Sequence, residues 1–403
     1  MPVVFVHGVN TRKTEPGYAA RLCLIDRFVR KHLAGATLGG VAVTSLSPAF
    51  PYWGDLATMF AWNMASLPTG HVNALGPAID DRLRLLIATL DDDLSNATSA
   101  KQQPLLTLAV RKTLPHSVNV MSDLLLQTAA ENQADVVADF IVAAHGYAEA
   151  NPSPPWLGTL TTDEQLLNRL VTEAKASAPT GVQALGVLDK VVNPLAAAGA
   201  KFKAAVQTAA TTVLDRSGDF ASTKLLAWQR RPLNETLGRF FGDIFIYLDT
   251  RGDKAAPGPI PKLILDAIDT AKAVGPANEP LIVIGHSLGG VICFDLFGYF
   301  RPELRVDLFV TVGSQVSHFE EIKRFKTSNP AVRAPQKAPT PPNIERWINI
   351  FDEVDIFSYA CDQVFDRVID FEYDTQTYVI KAHGAYFEQD RFYTRLRARI
   401  DAL

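Results

Sequence analysis

The sequence predicts an α/β fold, with a mostly parallel central sheet, flanking helices and a large helical insertion. Two apolar runs, residues 2–6 and 281–284, are short and rich in β-branched side chains. Such runs are typical of strands that are buried on both faces of a parallel sheet. Between about 56 and 238 the sequence shows helical patterns and almost no strand pattern, which indicates an insertion into the α/β unit.

Length and charge restrict the class of protein. The chain has 403 residues, of which 47% are hydrophobic and 20% charged, and its formal net charge is −4. This length allows two or three domains of ordinary size, or one enlarged domain. Because there is no excess of basic residues to neutralise phosphates, we expect no nucleic acid partner.

The cysteines and histidines show no metal-binding pattern. Cys23, Cys293 and Cys361 lie far apart, and the eight histidines form no H-x-H or H-E-x-x-H motif. We therefore expect no metal, no cofactor and no disulfide framework. The chain also shows no cleavable signal peptide and no unbroken apolar span, so we expect a cytoplasmic protein.

The first elements are predicted in the order strand, helix, strand. Residues 2–6 form the first strand, and 41–44 form the next. Between them, 16–34 carries apolar residues at helical spacing and is stopped by Gly35. Prolines 48 and 51 mark a loop after the second of these strands.

The insertion, residues 56–238, is predicted to be helical near 56–67, 76–94, 117–148, 163–177, 182–214 and 220–230. Thr162 and Gln165 have the spacing of a capping box. We interpret the insertion as a cap or lid over Ser287, a serine between two glycines that follows the strand 281–284, with 1–55 and 239–403 as the core. Its alanine-rich part, 191–213, fits close helix packing, which we favour, or peripheral contact of the cap with a membrane. His145, a lone histidine in the insertion, is interpreted as structural.

The α/β pattern resumes at about residue 239. Residues 240–248 fit either an apolar helix or a short strand, and 259–274 predicts a helix. The remaining strands are predicted at 281–284, 306–312, 346–351 and 377–380.

A serine stands in a glycine-flanked turn between the strand 281–284 and an apolar helical pattern. Residues 285–289 read Gly-His-Ser-Leu-Gly, which matches G-x-S-x-G. A sharp strand-to-helix turn strains its central residue and lifts the side chain clear of the sheet. The hydroxyl of Ser287 could then attack a carbonyl, and the N–H of Leu288 could bind the oxyanion that results.

A second oxyanion donor is predicted in the turn that follows the first strand. There the chain reads His-Gly-Val-Asn at 7–10. Gly8 allows the backbone to pass close to a substrate, so that the N–H of Val9, or alternatively of Asn10, points at it.

An acid and a base are predicted near two later strand ends. Asp352 and Asp355 both follow the strand 346–351, and His383 follows the predicted strand 377–380. Carboxyl ends of parallel strands meet at one edge of a sheet, so these side chains should converge on Ser287. A histidine can take the proton of the serine, and a carboxylate can fix its tautomer.

These motifs resemble the α/β-hydrolase superfamily, and most of all its lipase and esterase branches. The resemblance covers 1–55 and 239–403 and includes the sequence Gly-His-Ser-Leu-Gly-Gly at 285–290 and His-Gly-Ala-Tyr at 383–386. It implies a Ser287–His383–Asp355 triad, because the acid of similar lipases stands a few residues beyond the strand; Asp352 is the alternative. The predicted His-Gly strand starts at residue 2, so we expect the fold to lack the leading antiparallel hairpin of the family.

The resemblance implies a serine hydrolase that cleaves carboxylic esters, with lipid-like or other apolar acyl groups as substrates. An acyltransferase or a thioesterase with the same triad is the first alternative. A non-catalytic binding protein on a hydrolase fold is the second.

Overall fold

The computed structural model describes residues 1–43, 46–65, 103–128, 131–177, 195–201, 203–204, 220–274, 279–377 and 379–403. Its strands are β1 (Pro2–Val6), β2 (Thr37–Leu38), β3 (Val41–Ala42), β4 (Ser47–Ala49), β5 (Ile282–His286), β6 (Leu308–Val312), β7 (Trp347–Phe351) and β8 (Ile369–Glu372). Its α-helices span Tyr18–Leu33, Pro104–Arg111, Leu114–Thr128, Ala134–Ala150, Asp163–Ser177, Phe220–Thr250, Pro259–Val274, Leu288–Asp295, Val316–Glu321, Val379–Ala385 and Asp390–Asp401.

Six strands form one parallel sheet in the order β4-β1-β5-β6-β7-β8. The two apolar runs of the sequence are its central neighbours, with Val3 opposite Ile282 and Val6 opposite Gly285. All five residues of β1 are buried. The predicted α/β class, with a parallel sheet, flanking helices and helical insertions, is therefore confirmed.

The predicted strand at 41–44 is not part of this sheet. Val41–Ala42 instead pairs antiparallel with Thr37–Leu38 in a small hairpin. The sheet is continued by Ser47–Ala49, although the proline at position 48 predicts a loop there. A strand at the edge of a sheet tolerates proline, since one side of its backbone needs no partner.

The predicted strand at 377–380 is also wrong. Val379–Ala385 is a helix, and the last strand of the sheet is Ile369–Glu372. This strand lies at the other edge and pairs only with β7. Because it is not covered on both faces, its sequence Ile-Asp-Phe-Glu lacks an apolar run, and Ile369 is 48% exposed.

Several helices of the insertion lie close to their predicted positions. The segment 117–148 is divided into Leu114–Thr128 and Ala134–Ala150, and Asp163–Ser177 agrees with the prediction. Its capping box is formed: the N–H of Gln165 donates to Thr162 Oγ1 (3.2 Å), and the N–H of Thr162 donates to Gln165 Oε1 (3.3 Å). The predicted helix at 56–67 is wrong for residues 57–65, which are turns and loop.

The other helix predictions have different outcomes. Residues 76–94 and most of 182–214 lie outside the described residues. The ambiguous segment 240–248 is helical, as part of Phe220–Thr250, and 220–230 belongs to the same helix. The helix predicted at 259–274 is confirmed.

Apolar clusters cover both faces of the sheet. Val3 and Phe5 point into a cluster that contains the helices Tyr18–Leu33 and Asp390–Asp401 and the insertion helices between 104 and 177. Val4 and Val6 point into the opposite cluster, which contains Phe240 and the helix that follows Ser287. This alternation along β1 is the expected consequence of the strand period. The described insertion helices belong to the same apolar cluster as Val3 and Phe5 of the sheet. The division of the chain into a core and a separate cap therefore remains a prediction.

Candidate active site

Ser287 occupies the turn between β5 and the helix Leu288–Asp295, with φ 52° and ψ −128°. A non-glycine residue in this region costs about 1–3 kcal/mol and persists only where the surroundings enforce it. Glycines on both sides make the turn sterically feasible. A Cβ on Gly285 would stand 2.5 Å from Gly290 Cα, and one on Gly289 would clash with the carbonyl of Val6.

The structure brings Ser287, His383 and Asp355 together. Ser287 Oγ lies 2.8 Å from His383 Nε2, although the two residues are 96 positions apart. On the other side of the ring, His383 Nδ1 lies 3.0 Å from both carboxylate oxygens of Asp355. The hydroxyl, the imidazole and the carboxylate therefore form a continuous hydrogen-bonded series.

Asp355 is held by groups that donate to its carboxylate. The hydroxyl of Tyr386 donates to Oδ2 (3.0 Å), and the N–H of Phe357 donates to Oδ1 (3.0 Å). Burial, and then the neighbouring Asp355, raise the pKa of the Tyr386 phenol well above its ordinary value. The phenol therefore stays protonated and remains a donor to the carboxylate.

Asp352, the alternative acid, has different partners. Its Oδ2 accepts from the N–H and the Oγ1–H of Thr375 (2.8 and 2.6 Å), and its Oδ1 accepts from the N–H of Val354 (2.9 Å). These bonds tie the turn after β7 to the loop that precedes the helix of His383. The structure thus places Asp355, and not Asp352, beside the imidazole.

The turn at 7–10 packs directly against the serine. A Cβ on Gly8 would clash with the Ser287 Cβ, so this approach requires glycine. The N–H of Asn10 already donates to Asp243 Oδ2 (2.8 Å), which leaves Val9 as the candidate oxyanion donor in this turn. Leu288 is the first residue of its helix, and such an N–H has no acceptor within the helix.

The imidazole of His7 shapes the same turn. Burial lowers the pKa of His7 to about 4, so the ring is neutral near pH 7. The N–H of Trp53 donates to its Nε2 (3.1 Å), and Nδ1 lies 2.9 Å from the carbonyl of Gly8. An Nε2 that accepts requires the proton on Nδ1, from where it is donated to Gly8.

Gln315 and Ser314 also lie at the site, although no sequence motif indicated them. The amide nitrogen of Gln315 lies 3.5 Å from Ser287 Oγ, and Ser314 Oγ donates to the backbone carbonyl of Ser287 (2.7 Å). Both residues follow the carboxyl end of β6, the neighbour of the serine strand. Their place directly after a buried strand was the available signal.

A cleft of about 400 Å³ opens beside His383. Its apolar lining includes Val9, Phe240, Ile356 and Phe357 near the imidazole, and Phe5, Leu22, Ile25, Phe50 and Phe387 near the helix Tyr18–Leu33. Charged residues also line it, and five of them pair with one another. Arg239 bonds Glu15 (3.2 Å), Arg21 bonds Glu388 (3.1 Å), and Lys381 also bonds Glu388.

The described residues contain no cluster of three or more His, Cys, Asp or Glu side chains that could hold a metal ion. Among the same residues, no helix combines the length and the apolar character needed to cross a membrane. Comparison with known proteins returned no matching family model, no similar curated protein and no similar solved structure.

Proposed function

We propose that the protein is a serine hydrolase of the α/β-hydrolase superfamily, which cleaves carboxylic esters through an acyl-enzyme. One observation carries the proposal. The hydroxyl of a serine in a strained strand-to-helix turn lies 2.8 Å from His383 Nε2, and the other ring nitrogen lies 3.0 Å from the buried carboxylate of Asp355. This arrangement activates a serine for attack on a carbonyl.

In the first step, Ser287 Oγ attacks the ester carbonyl carbon while His383 Nε2 takes the hydroxyl proton. The carbonyl oxygen becomes an oxyanion, for which the N–H groups of Val9 and Leu288 are the proposed donors. When the tetrahedral intermediate collapses, the bond to the alkoxy group breaks, and His383 gives its proton to the departing alcohol. Asp355 stabilises the imidazolium throughout these steps.

In the second step, water replaces the alcohol. His383 takes a proton from the water, whose oxygen attacks the acyl-enzyme carbonyl, and the bond to Ser287 then breaks. The carboxylic acid leaves and the serine regains its proton. Ser287 is 0% exposed in this structure, so the wall of the cleft has to open further before an ester reaches it.

The lining of the cleft supports a neutral substrate with an apolar acyl group. Its aromatic and aliphatic side chains favour apolar surface, whereas five of its charged side chains are already engaged in ion pairs with one another. A charged ligand would have to replace these pairs and would gain little from them. A volume of about 400 Å³ lies at the lower end of the range for small-molecule sites, which favours short and medium acyl chains.

A fluorophosphonate probe tests the nucleophile. We expect labelling of the wild-type protein at Ser287, and no labelling and no esterase activity in Ser287→Ala. A matched control is available, because Ser122 Oγ lies 3.1 Å from His145 Nε2 in a second buried Ser–His pair that lacks the strained turn. Ser122→Ala should keep both labelling and activity.

Labelling that persists in Ser287→Ala would contradict the proposal. A wild-type protein that neither reacts with the probe nor cleaves any ester would indicate a binding protein instead. Product analysis with water, alcohol and thiol acceptors separates a hydrolase from an acyltransferase, because both form the same acyl-enzyme.

A further inference from the structure

A buried carboxylate connects the long helix Phe220–Thr250 to the turn that packs against Ser287. Asp243 is 0% exposed and accepts four hydrogen bonds from three separate residues. Its Oδ2 accepts from the N–H of Asn10 (2.8 Å) and from Arg12 Nη1 (3.2 Å). Its Oδ1 accepts from Arg12 Nη2 (2.6 Å) and from the N–H of Thr58 (3.0 Å). All acceptor sites of the carboxylate are thereby used.

None of these partners belongs to the helix that carries Asp243. The bonds to Asn10 and Arg12 span more than 230 positions of the sequence. The helix also approaches the Thr58 segment closely, since a Cβ on Gly242 would stand 2.6 Å from Thr58 Oγ1. The carboxylate therefore acts as a junction between the helix, the turn at 7–12 and the segment around residue 58.

The hydrogen bond to Asn10 determines the orientation of its peptide group. Asn10 has φ 57°, in the left-handed region that non-glycine residues rarely adopt. Its N–H belongs to the peptide that joins it to Val9, so a fixed acceptor for this group restricts the backbone on the carboxyl side of Val9. The preceding residue, Gly8, is in turn packed against Ser287.

We infer that Asp243 is a positioning residue, which holds the turn at 7–10 so that the N–H of Val9 faces the oxyanion formed at Ser287. This inference rests on the proposed function. It assigns no contact between Asp243 and substrate, and the effect acts through the backbone of Asn10. Donors that are held in place before the reaction stabilise developing charge without a cost of reorganisation.

The substitution Asp243→Asn tests this role. The asparagine side chain has the size of the aspartate, but an NH₂ group replaces one carboxylate oxygen. This NH₂ group would face the N–H donors that now bond to the oxygen, so the two hydrogen bonds to that oxygen are lost. A displacement of about 1 Å at a reacting group can lower a rate about 10²-fold. We expect kcat for p-nitrophenyl butyrate to fall about 10- to 100-fold, with KM changed less than about threefold.

The chain offers a matched control in Asp390, another buried aspartate that is held by basic side chains. It accepts from Lys31 Nζ (2.6 Å), and its Oδ1 lies 2.9 Å from His32 Nε2. These contacts join the helices Tyr18–Leu33 and Asp390–Asp401, and neither partner belongs to the 7–10 turn. Asp390→Asn should lower thermal stability as Asp243→Asn does, while kcat per folded molecule stays within about twofold of wild type.

Two further measurements separate positioning from general destabilisation. Amide hydrogen exchange should show faster exchange at Asn10 in Asp243→Asn, but not in Asp390→Asn. If Asp243→Asn does not fold, Arg12→Lys serves as the second variant, because lysine can reach only one carboxylate oxygen. The kcat of Arg12→Lys should lie clearly below that of wild type, but its decrease should be smaller than the one expected for Asp243→Asn.

The inference is overturned if folded Asp243→Asn, or Arg12→Lys in its place, keeps kcat within about twofold of wild type. In that case, an active wild-type protein means that the proposed hydrolase function still stands and that only the positioning role is lost. If the wild-type protein does not react with esters or with the fluorophosphonate, the proposed function fails, and the positioning role fails with it.

Discussion

The imidazole of His286 donates a hydrogen bond from Nε2 to the backbone carbonyl of His383 (2.7 Å). The two rings also lie close together, with centroids 4.9 Å apart. Burial, and then the nearby His383, lower the pKa of His286 to about 3, so the ring is neutral near pH 7. His286 thus anchors the short helix Val379–Ala385, which carries His383. This bond fixes the position of His383 relative to the turn at Ser287.

We expect the hydrogen bond from His286 to affect the reaction rate. His286→Leu removes the donor, whereas the side-chain amide of His286→Gln can still donate to the carbonyl. The kcat/KM of His286→Leu for a short ester should fall about tenfold, and His286→Gln should lie closer to wild type, because one neutral hydrogen bond contributes about 0.5–1.5 kcal/mol. Equal rates in the two variants would contradict this role.

The two aspartates after β7 should respond differently to substitution. Asp355→Asn should lower kcat at least about 10²-fold, because an amide beside His383 Nδ1 no longer enforces the tautomer that accepts the serine proton. Asp352→Asn should lower the free energy of unfolding by about 1–3 kcal/mol, through its bonds to Thr375, with a smaller effect on kcat. Steady-state kinetics and urea denaturation measure both quantities. The reverse order of kcat values would mean that Asp352 is the acid.

Stability should depend on pH through His145. This residue is 2% exposed, and burial lowers its pKa to about 4 from an ordinary value of 6.5. Between these two values the unfolded chain binds a proton that the folded protein excludes. The stabilisation is therefore complete above about pH 6.5 and decreases as the pH falls towards 4, by at most about 1.4 kcal/mol per pH unit.

Urea denaturation at pH 7, 6 and 5 measures this slope. The comparison is between wild type and His145→Gln, because other groups contribute equally to both. We expect the slope to be smaller in His145→Gln, even if that protein is less stable at every pH. Parallel curves for the two proteins would show that His145 does not titrate as described.

The apolar side of the cleft should determine which acyl chains are accepted. Leu22 is half-buried and lines the cleft on the helix Tyr18–Leu33. We expect Leu22→Trp to shift the preference among p-nitrophenyl esters towards shorter chains, and Leu22→Ala to shift it towards longer ones, since the volume available changes in opposite directions. The acetyl ester is the control, and its rate should change little in either variant. An unchanged chain-length profile in both variants would place the acyl chain elsewhere.

The sequence alone determined those features that local patterns encode. The runs at 2–6 and 281–284 are apolar throughout because their strands are covered on both faces, so the centre of the sheet was predictable. The glycines around Ser287 indicated the turn, since a Cβ at either position has no room. Edge strands leave no such pattern, which is why Ile369–Glu372 was missed.

Only the tertiary structure decided which of several chemically equivalent groups stand next to each other. Asp352 and Asp355 are both carboxylates after the same strand, and the bonds of Thr375 and Tyr386 distinguish them. Asn10 and Val9 both carry an N–H, and Asp243, from a distant helix, engages one of them. The physical reason is that composition and the spacing of apolar residues indicate burial and backbone conformation. Hydrogen-bond partners, in contrast, depend on loops that are positioned by the packing of the whole chain.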